Sequence, residues 1–207
     1  MSIVSRLMQT LPARQRGFTL IELLVVVSLT VVILAVGVPN FQRFIVNNRL
    51  KAVNAQLVTD LQFARAEAAS RNMPVYWSYR VVPLQQMTCY SIFTTTIEGA
   101  ECDCSLGVGS ACTNAAMKEI RTVHIPFSGS VRLSLPPGGS RVFAFDNVNG
   151  GMYYGTTDFG DAALADFVVN TAVISDATRT LRTSVSPAGR TKVCSAGATS
   201  ITGYPAC

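Results

Sequence analysis

Arg14-Gln15-Arg16-Gly17-Phe18-Thr19-Leu20-Ile21-Glu22 opens an apolar run that continues to Val38 and is broken only by Ser28, Thr30 and Gly37. From Leu23 to Val38 there is no charged side chain. At about 1.5 Å of rise per residue, a helix from Phe18 to Val38 spans roughly 30 Å, the thickness of a bilayer core. Glu22 is out of place there. A carboxylate inside such a run costs about 3 kcal/mol or more until it finds a partner, so it reads as a functional group. Two ordinary readings compete: a cleaved secretory signal with Ala35-Val36-Gly37 as its small-residue exit, and a plain signal anchor. Neither explains why the glycine precedes the apolar run and the glutamate sits within it. Cleavage after Gly17 places a new ammonium group on Phe18, about one helical turn from Glu22 or facing the Glu22 of a neighbouring copy. Opposite charges at low dielectric then offset each other's desolvation.

The rest of the 207-residue chain is about the size of one compact domain. Hydrophobic residues make up 49% of the sequence and charged ones only 14%, the apolar excess lying in the N-terminal run. The formal net charge is +5, but Arg6, Arg14 and Arg16 lie in the leader, and without them 14 basic side chains face 12 acidic ones. Overall charge therefore says little about an acidic partner. Its distribution says more: Glu98, Glu101 and Asp103 form one acidic loop, whereas nothing acidic follows Asp176 and Arg179, Arg182, Arg190 and Lys192 all do. With small residues at Gly189, Ser195, Ala196 and Gly197, these four cations are candidates for contact with a phosphate chain. The plain alternative is a solvated strand face. No aromatic residue is interleaved with them before Tyr204, so stacking on single-stranded bases is not indicated.

Six cysteines, Cys89, Cys102, Cys104, Cys112, Cys194 and Cys207, all follow the apolar run. An even number on an exported chain predicts disulfides. The reading of the first four as metal ligands lacks the paired C-x-x-C spacing of common zinc sites, so neither metal nor cofactor is expected. Proximity suggests Cys194 with Cys207, which would tie down a terminus; the other pairings stay open.

Gly37 and Pro39 are expected to kink the helix near the membrane exit, and helical periodicity then resumes, so that 18–72 reads as one long, kinked helix. Val46, Leu50, Val53, Leu57, Leu61, Ala64 and Ala68 form one apolar stripe, with Asn48, Lys51, Asp60, Glu67 and Arg71 largely off it, ending at Asn72-Met73-Pro74. The stripe predicts packing against the globular part. From Pro74 the period changes to two, giving strands at 75–82, 89–97, 123–127, 131–135, 142–145, 167–174 and 181–185. Turn chemistry separates several of them, as at Ser128-Gly129-Ser130, Pro136-Pro137-Gly138-Gly139 and Asn147-Val148-Asn149-Gly150-Gly151. The loop from Glu98 to Ala116 reads as too polar for core and as stapled by disulfides. The expectation is an α+β chain, a long helix bearing an antiparallel β-rich head, with segments 1–17, 18–45, 46–73 and 74–207.

Arg16-Gly17-Phe18-Thr19-Leu20-Ile21-Glu22-Leu23 resembles the class III signal of type IV pilins and pseudopilins. The resemblance implies a type IV pilin-like fold, cleavage between Gly17 and Phe18 by the membrane prepilin peptidase, N-methylation of Phe18, and docking through Glu22 onto other pilins. It also implies residence in the inner membrane, head in the periplasm, before transfer to the pilus. Leu57 to Val75, with Ala64-Arg65-Ala66-Glu67-Ala68 ahead of Asn72-Met73-Pro74-Val75, is similar to the helix end of GspH/FimT-type minor pilins. Gly189-Arg190-Thr191-Lys192 is similar to the G-R-x-R segment of the FimT type, which implies capture of DNA for natural transformation through Arg190 and Lys192. Lys192 keeps the charge of the second arginine but lacks its planar fork. Arg179 and Arg182 join the candidates on charge alone. Pilus assembly is thus the first functional expectation, with DNA uptake and the H-type pseudopilin of a type II secretion system as alternatives.

Catalysis is not expected. His124, the single histidine, lies between Val123 and Ile125 in a strand pattern with no nucleophile indicated nearby, and Asp158 and Asp161 read as a solvated turn. No H-E-x-x-H, P-loop or G-x-G-x-x-G motif occurs.

Overall fold

The computed structural model describes residues 17–97, 99–154, 166–176 and 178–207. Residues 1–16 of the leader, Glu98, and the turn holding Asp158 and Asp161 lie outside the described residues. The chain divides into two compact units, one up to Gln42 and one from Arg43 to Cys207.

Helix α1 runs over Leu20–Arg71. It starts because the Thr19 hydroxyl accepts the Glu22 N–H at 3.3 Å, satisfying one of the orphan donors of the first turn. Its end is a left-handed turn: Asn72 has φ 52°, and the Met73 N–H reaches back to the Ala68 carbonyl at 3.3 Å, with Pro74 blocking continuation. The single long helix expected from Phe18 to Asn72 is present, α1 passing through both Gly37 and Pro39. Pro39 leaves the Ala35 carbonyl without its helical donor, and one missing bond does not end a helix that continues for more than thirty residues beyond it.

In the second unit α1 lies on two antiparallel sheets. Strands β1 (Val75–Val82), β2 (Met87–Thr95), β3 (Met117–Pro126), β5 (Val142–Phe145) and β6 (Met152–Tyr154) form a five-stranded sheet in the order β3-β2-β1-β5-β6. Strands β4 (Val131–Ser134), β7 (Phe167–Val173), β8 (Thr180–Val185) and β9 (Thr191–Ser195) form a four-stranded sheet in the order β4-β7-β8-β9. Strands β6 and β9 escape the period-two reading because one is only three residues long and the other, Thr-Lys-Val-Cys-Ser, is mostly polar. Strand β3 starts at Met117 rather than Val123, its half-exposed edge residues Lys118, Glu119 and Arg121 hiding the alternation.

The stripe on α1 buries Leu50, Leu57, Leu61, Ala64 and Ala68 completely. The last four meet Trp77, Tyr90, Phe143, Phe145 and Phe167 in the main core, and Leu50 joins Val131, Val173, Leu181 and Ile201 in a second cluster. Trp77 is the hub, with ring centroids 5.2–5.6 Å from Tyr90, Phe143 and Phe167. Asp60 is the main departure from expectation: placed off the stripe by its charge, it is fully buried. The Tyr90 hydroxyl donates to Asp60 Oδ2 at 2.6 Å, and Arg121 Nη1, on a side chain 44% exposed, lies 2.9 Å from Oδ1, so the buried charge is paired with a cation that reaches solvent. Asn54, also buried, accepts from the hydroxyls of Thr171 and Thr183 at 3.1 and 2.8 Å. The sheets are joined directly as well, the Tyr79 hydroxyl donating to the Leu133 carbonyl at 2.8 Å; burial pushes this phenol up to about 12.

The cysteine pairs are Cys89–Cys104, Cys102–Cys112 and Cys194–Cys207, the last being the pair that proximity singled out. The loop before β3 is less polar in its role than in its composition: Cys102, Cys104 and Ala111 are buried, Cys102 and Ala111 against Tyr76 and Phe93. Glu119 clamps this loop by accepting the N–H groups of Gly109 and Ala111 at 2.8 and 2.9 Å. Burial alone would raise its carboxyl, yet the Gly109 N–H, the Thr122 hydroxyl, the Ala111 N–H and the nearby His124 together hold it below the ordinary glutamate range. Asp103 behaves likewise, burial opposed by the hydroxyl and N–H of Ser105 and by Arg80. A carboxyl lowered in the folded state stabilises it above the unfolded-state value, and that contribution is lost as pH falls through the folded value. Thermal melts taken from neutral to acidic pH should therefore show Glu119→Gln starting lower than the wild type but losing less on acidification. Equal acid slopes would remove the clamp's linkage to pH.

Candidate functional site

The first candidate is the start of α1. Gly17, Phe18 and Glu22 are all exposed, Glu22 in the first helical turn where a negative charge complements the helix dipole. Thr19-Leu20-Ile21-Glu22 has the spacing of a capping box, with the Thr19 hydroxyl on the Glu22 N–H. The Phe18 nitrogen lies one residue before that cap, so an amine created there falls at the same helix end as the carboxylate. From Phe18 to Ile45 the large apolar side chains are exposed, Leu20 at 81% and Ile33 at 69%. The most apolar 18 residues of the helix have mean hydropathy 2.8, enough by length and composition to cross a membrane.

The second candidate is the C-terminal basic segment, and the structure divides it. Arg179 is withdrawn from the phosphate-binding set: its Nε lies 2.8 Å from Asp176 Oδ2, its Nη1 donates to Asn47 Oδ1 at 2.8 Å, and its side chain is 14% exposed. Asp176 in turn is held below the ordinary carboxylate range by the Thr178 hydroxyl and then by Arg179. The absence of acids after Asp176 misled the sequence reading because Asp176 itself is the partner. Arg182 and Lys192 remain exposed. Register pairs Ser184 with Lys192 and Arg182 with Cys194, which places both cations on one face of β8–β9. Thr191 and Val193 alternate to the opposite face, where Val193 packs against the Leu50 cluster.

Arg190 stands apart from them. It follows the turn at Gly189 and lines an open cleft of about 750 Å³ together with Gln62, Arg65, Ala66 and Ala69 of α1, residues 147–150, and Thr191. Arg65 is the residue that charge reading missed, because it lies far from the basic segment in a helix where it passes for a surface cation. The fold brings it across: a side chain on Gly150 (φ +64°) would come within 2.8 Å of Arg65 Nε, and one on Gly189 (φ +71°) within 3.0 Å. Both glycines take up the left-handed backbone, and at Gly189 the tightest neighbour is the Gly150 carbonyl oxygen, 2.1 Å from where a Cβ would stand.

The Nε2 of His124 is 2.7 Å from the Cys104 carbonyl oxygen, a structural bond to the disulfide loop. All six sulfurs are consumed in disulfides, which removes the thiolate ligand reading. Among the described residues no cluster of three or more His, Cys, Asp or Glu could hold a metal.

The prokaryotic N-terminal methylation motif matches residues 12–38, and the family described as Type II transport protein GspH matches residues 54–189, well over half of the chain. The chain belongs to the GspH family. It is a type IV pilin or pseudopilin subunit of the GspH/FimT kind, with the α+β pilin-like fold of an apolar N-terminal helix and antiparallel sheets. No curated protein and no solved structure gives a significant match. The GspH match stops at Gly189, so Arg190 and Lys192 lie just beyond it.

Proposed function

We propose that this GspH-family protein is a minor subunit of a type IV pilus, anchored in the inner membrane with its head in the periplasm and then incorporated through its N-terminal helix. The observation that carries this reading is the exposed apolar run from Phe18 with a single carboxylate in its first turn. Cleavage between Gly17 and Phe18 by a prepilin peptidase and methylation of the new amine complete the subunit. In a filament the apolar surfaces of neighbouring helices replace lipid, and Glu22 pairs with the Phe18 amine of its own or an adjacent chain. The family description supports a related reading, in which the same helix builds the pseudopilus of a type II secretion system. The experiment is to express Glu22→Val in the native host, fractionate membranes, and probe filaments released by shear. The variant should insert in the membrane as well as the wild type and be missing from filaments. Normal incorporation would remove the pairing from the account, and absence of the wild type from shear-released filaments would favour the secretion machine.

A second reading is supported by the charge on β8–β9: Arg182 and Lys192 share one face, and neither has an ion-pair partner among the described residues. On this reading the head binds duplex DNA through Arg182, Arg190 and Lys192, contacts that neutralise phosphates regardless of sequence and weaken with salt. The Arg182→Gln/Lys192→Gln double variant should lose roughly tenfold or more in affinity for a duplex oligonucleotide at low salt. Unchanged affinity would exclude DNA as a ligand of this face.

A further inference from the structure

We infer that the cleft between α1 and the loops at Asn147–Gly150 and Gly189–Arg190 seats one phosphate group, held jointly by Arg65 and Arg190. Arg65 is half-buried, its guanidinium pressed against the backbones of Gly150 and Gly189, and Arg190 lines the same cavity. Among the described residues neither guanidinium has an ion pair or a side-chain hydrogen bond, and no Asp or Glu lines the cleft. The nearest carboxylates along the chain are engaged: Glu67 with Arg71, and Asp146 Oδ2 with the Asn149 N–H at 3.1 Å. Two cations facing one cavity with no counter-charge repel each other until an anion enters, and partial burial strengthens what the anion gains.

The donor set selects the class of anion. An arginine presents a planar fork that saturates a carboxylate on its own, since a carboxylate has two oxygens in one plane. Two forks on separate elements, one on the helix and one after the turn at Gly189, suit a tetrahedral group with oxygens pointing several ways. Gln62, Asn147, Asn149 and Thr191 line the remaining wall with polar groups. The shared chemistry is therefore a phosphate, either free or as one phosphodiester of a nucleic acid. The second source rests on the DNA reading above: Thr191 belongs to the cleft, and Lys192 and Arg182 lie on the other face of β9, so a backbone crossing that edge strand would meet cations on both sides.

The test uses the full chain in a nonionic detergent and a phosphate-free buffer, with arginine modification by phenylglyoxal followed residue by residue by peptide mass spectrometry. Inorganic phosphate should slow modification of Arg65 and Arg190 about tenfold while leaving Arg182 unprotected, and Arg190→Gln, at an exposed position, should raise the phosphate concentration needed to protect Arg65 about tenfold. A duplex oligonucleotide that protects Arg65, Arg190 and Arg182 together supports the nucleic-acid source. Protection of Arg65 and Arg190 by inorganic phosphate but not by the duplex supports the seat with free phosphate as its ligand. Protection of Arg182 alone by the duplex, with Arg65 reacting freely under both ligands, overturns the seat and leaves the DNA reading intact. Protection by a polyglutamate peptide and not by phosphate overturns it in favour of a protein carboxylate.

Discussion

The second unit depends on a charge that is buried where hydrophobic patterning would not put one. Asp60 sits in the helix face that packs on the five-stranded sheet, fully enclosed, and is kept there by Arg121 of β3 and the hydroxyl of Tyr90 of β2. Six residues earlier Asn54 does the neutral equivalent on the four-stranded sheet, accepting from Thr171 of β7 and Thr183 of β8. Apolar packing of Leu57, Leu61, Ala64 and Ala68 supplies most of the burial, but apolar contact is non-directional and tolerates sliding and rotation. Each polar contact is satisfied at one rotation and one height of the helix, so the pair fixes the register of α1 against both sheets. The Tyr90 phenol reflects the same arrangement, raised well above its ordinary value first by burial and then by its bond to the carboxylate.

The two ends of the helix answer to different environments. Its first turns expose every large apolar side chain and keep one carboxylate beside the cap, while the turns after Leu50 bury their stripe in the head. One continuous helix thus carries an exposed apolar stretch and a stretch whose stripe is buried in the head. The basic residues of the head divide in a similar manner. Arg179 holds the β7–β8 turn to Asn47 and Asp176, Arg182 and Lys192 face outward, and Arg190 turns to the cleft with Arg65.

Much of this was readable from sequence because it follows from strong, local patterns. The apolar run after Arg16-Gly17, the stripe from Val46 to Ala68 and the stop at Asn72-Met73-Pro74 each depend on residues close together, and the helix bounds follow from them. Strands with β-branched and aromatic alternation, such as β1 and β7, were legible for the same reason. Asp60 and Arg65 escaped because their partners are distant in the chain. Asp60 looked like a surface residue because Tyr90 and Arg121 lie thirty or more positions away. Arg65 was a helix cation until the fold set Gly150 and Gly189 against it. Arg179 looked free because charge counting does not see an ion pair across three residues of a turn. Strand β9 was missed because an edge strand facing solvent on one side needs little hydrophobicity to pair with β8.

The central claim is that a paired charge at Asp60 sets the helix on the head, and a double-mutant cycle on equilibrium unfolding tests it most directly. Arg121→Met strips the buried carboxylate of its counter-charge and should cost about 3 kcal/mol, the low end for a broken buried pair because Arg121 is itself 44% exposed. Adding Asp60→Asn to that variant should recover most of the loss, since a neutral amide needs no cation and its oxygen still accepts from Tyr90. Losses from the two substitutions that simply add, to within about 0.5 kcal/mol, would contradict the account.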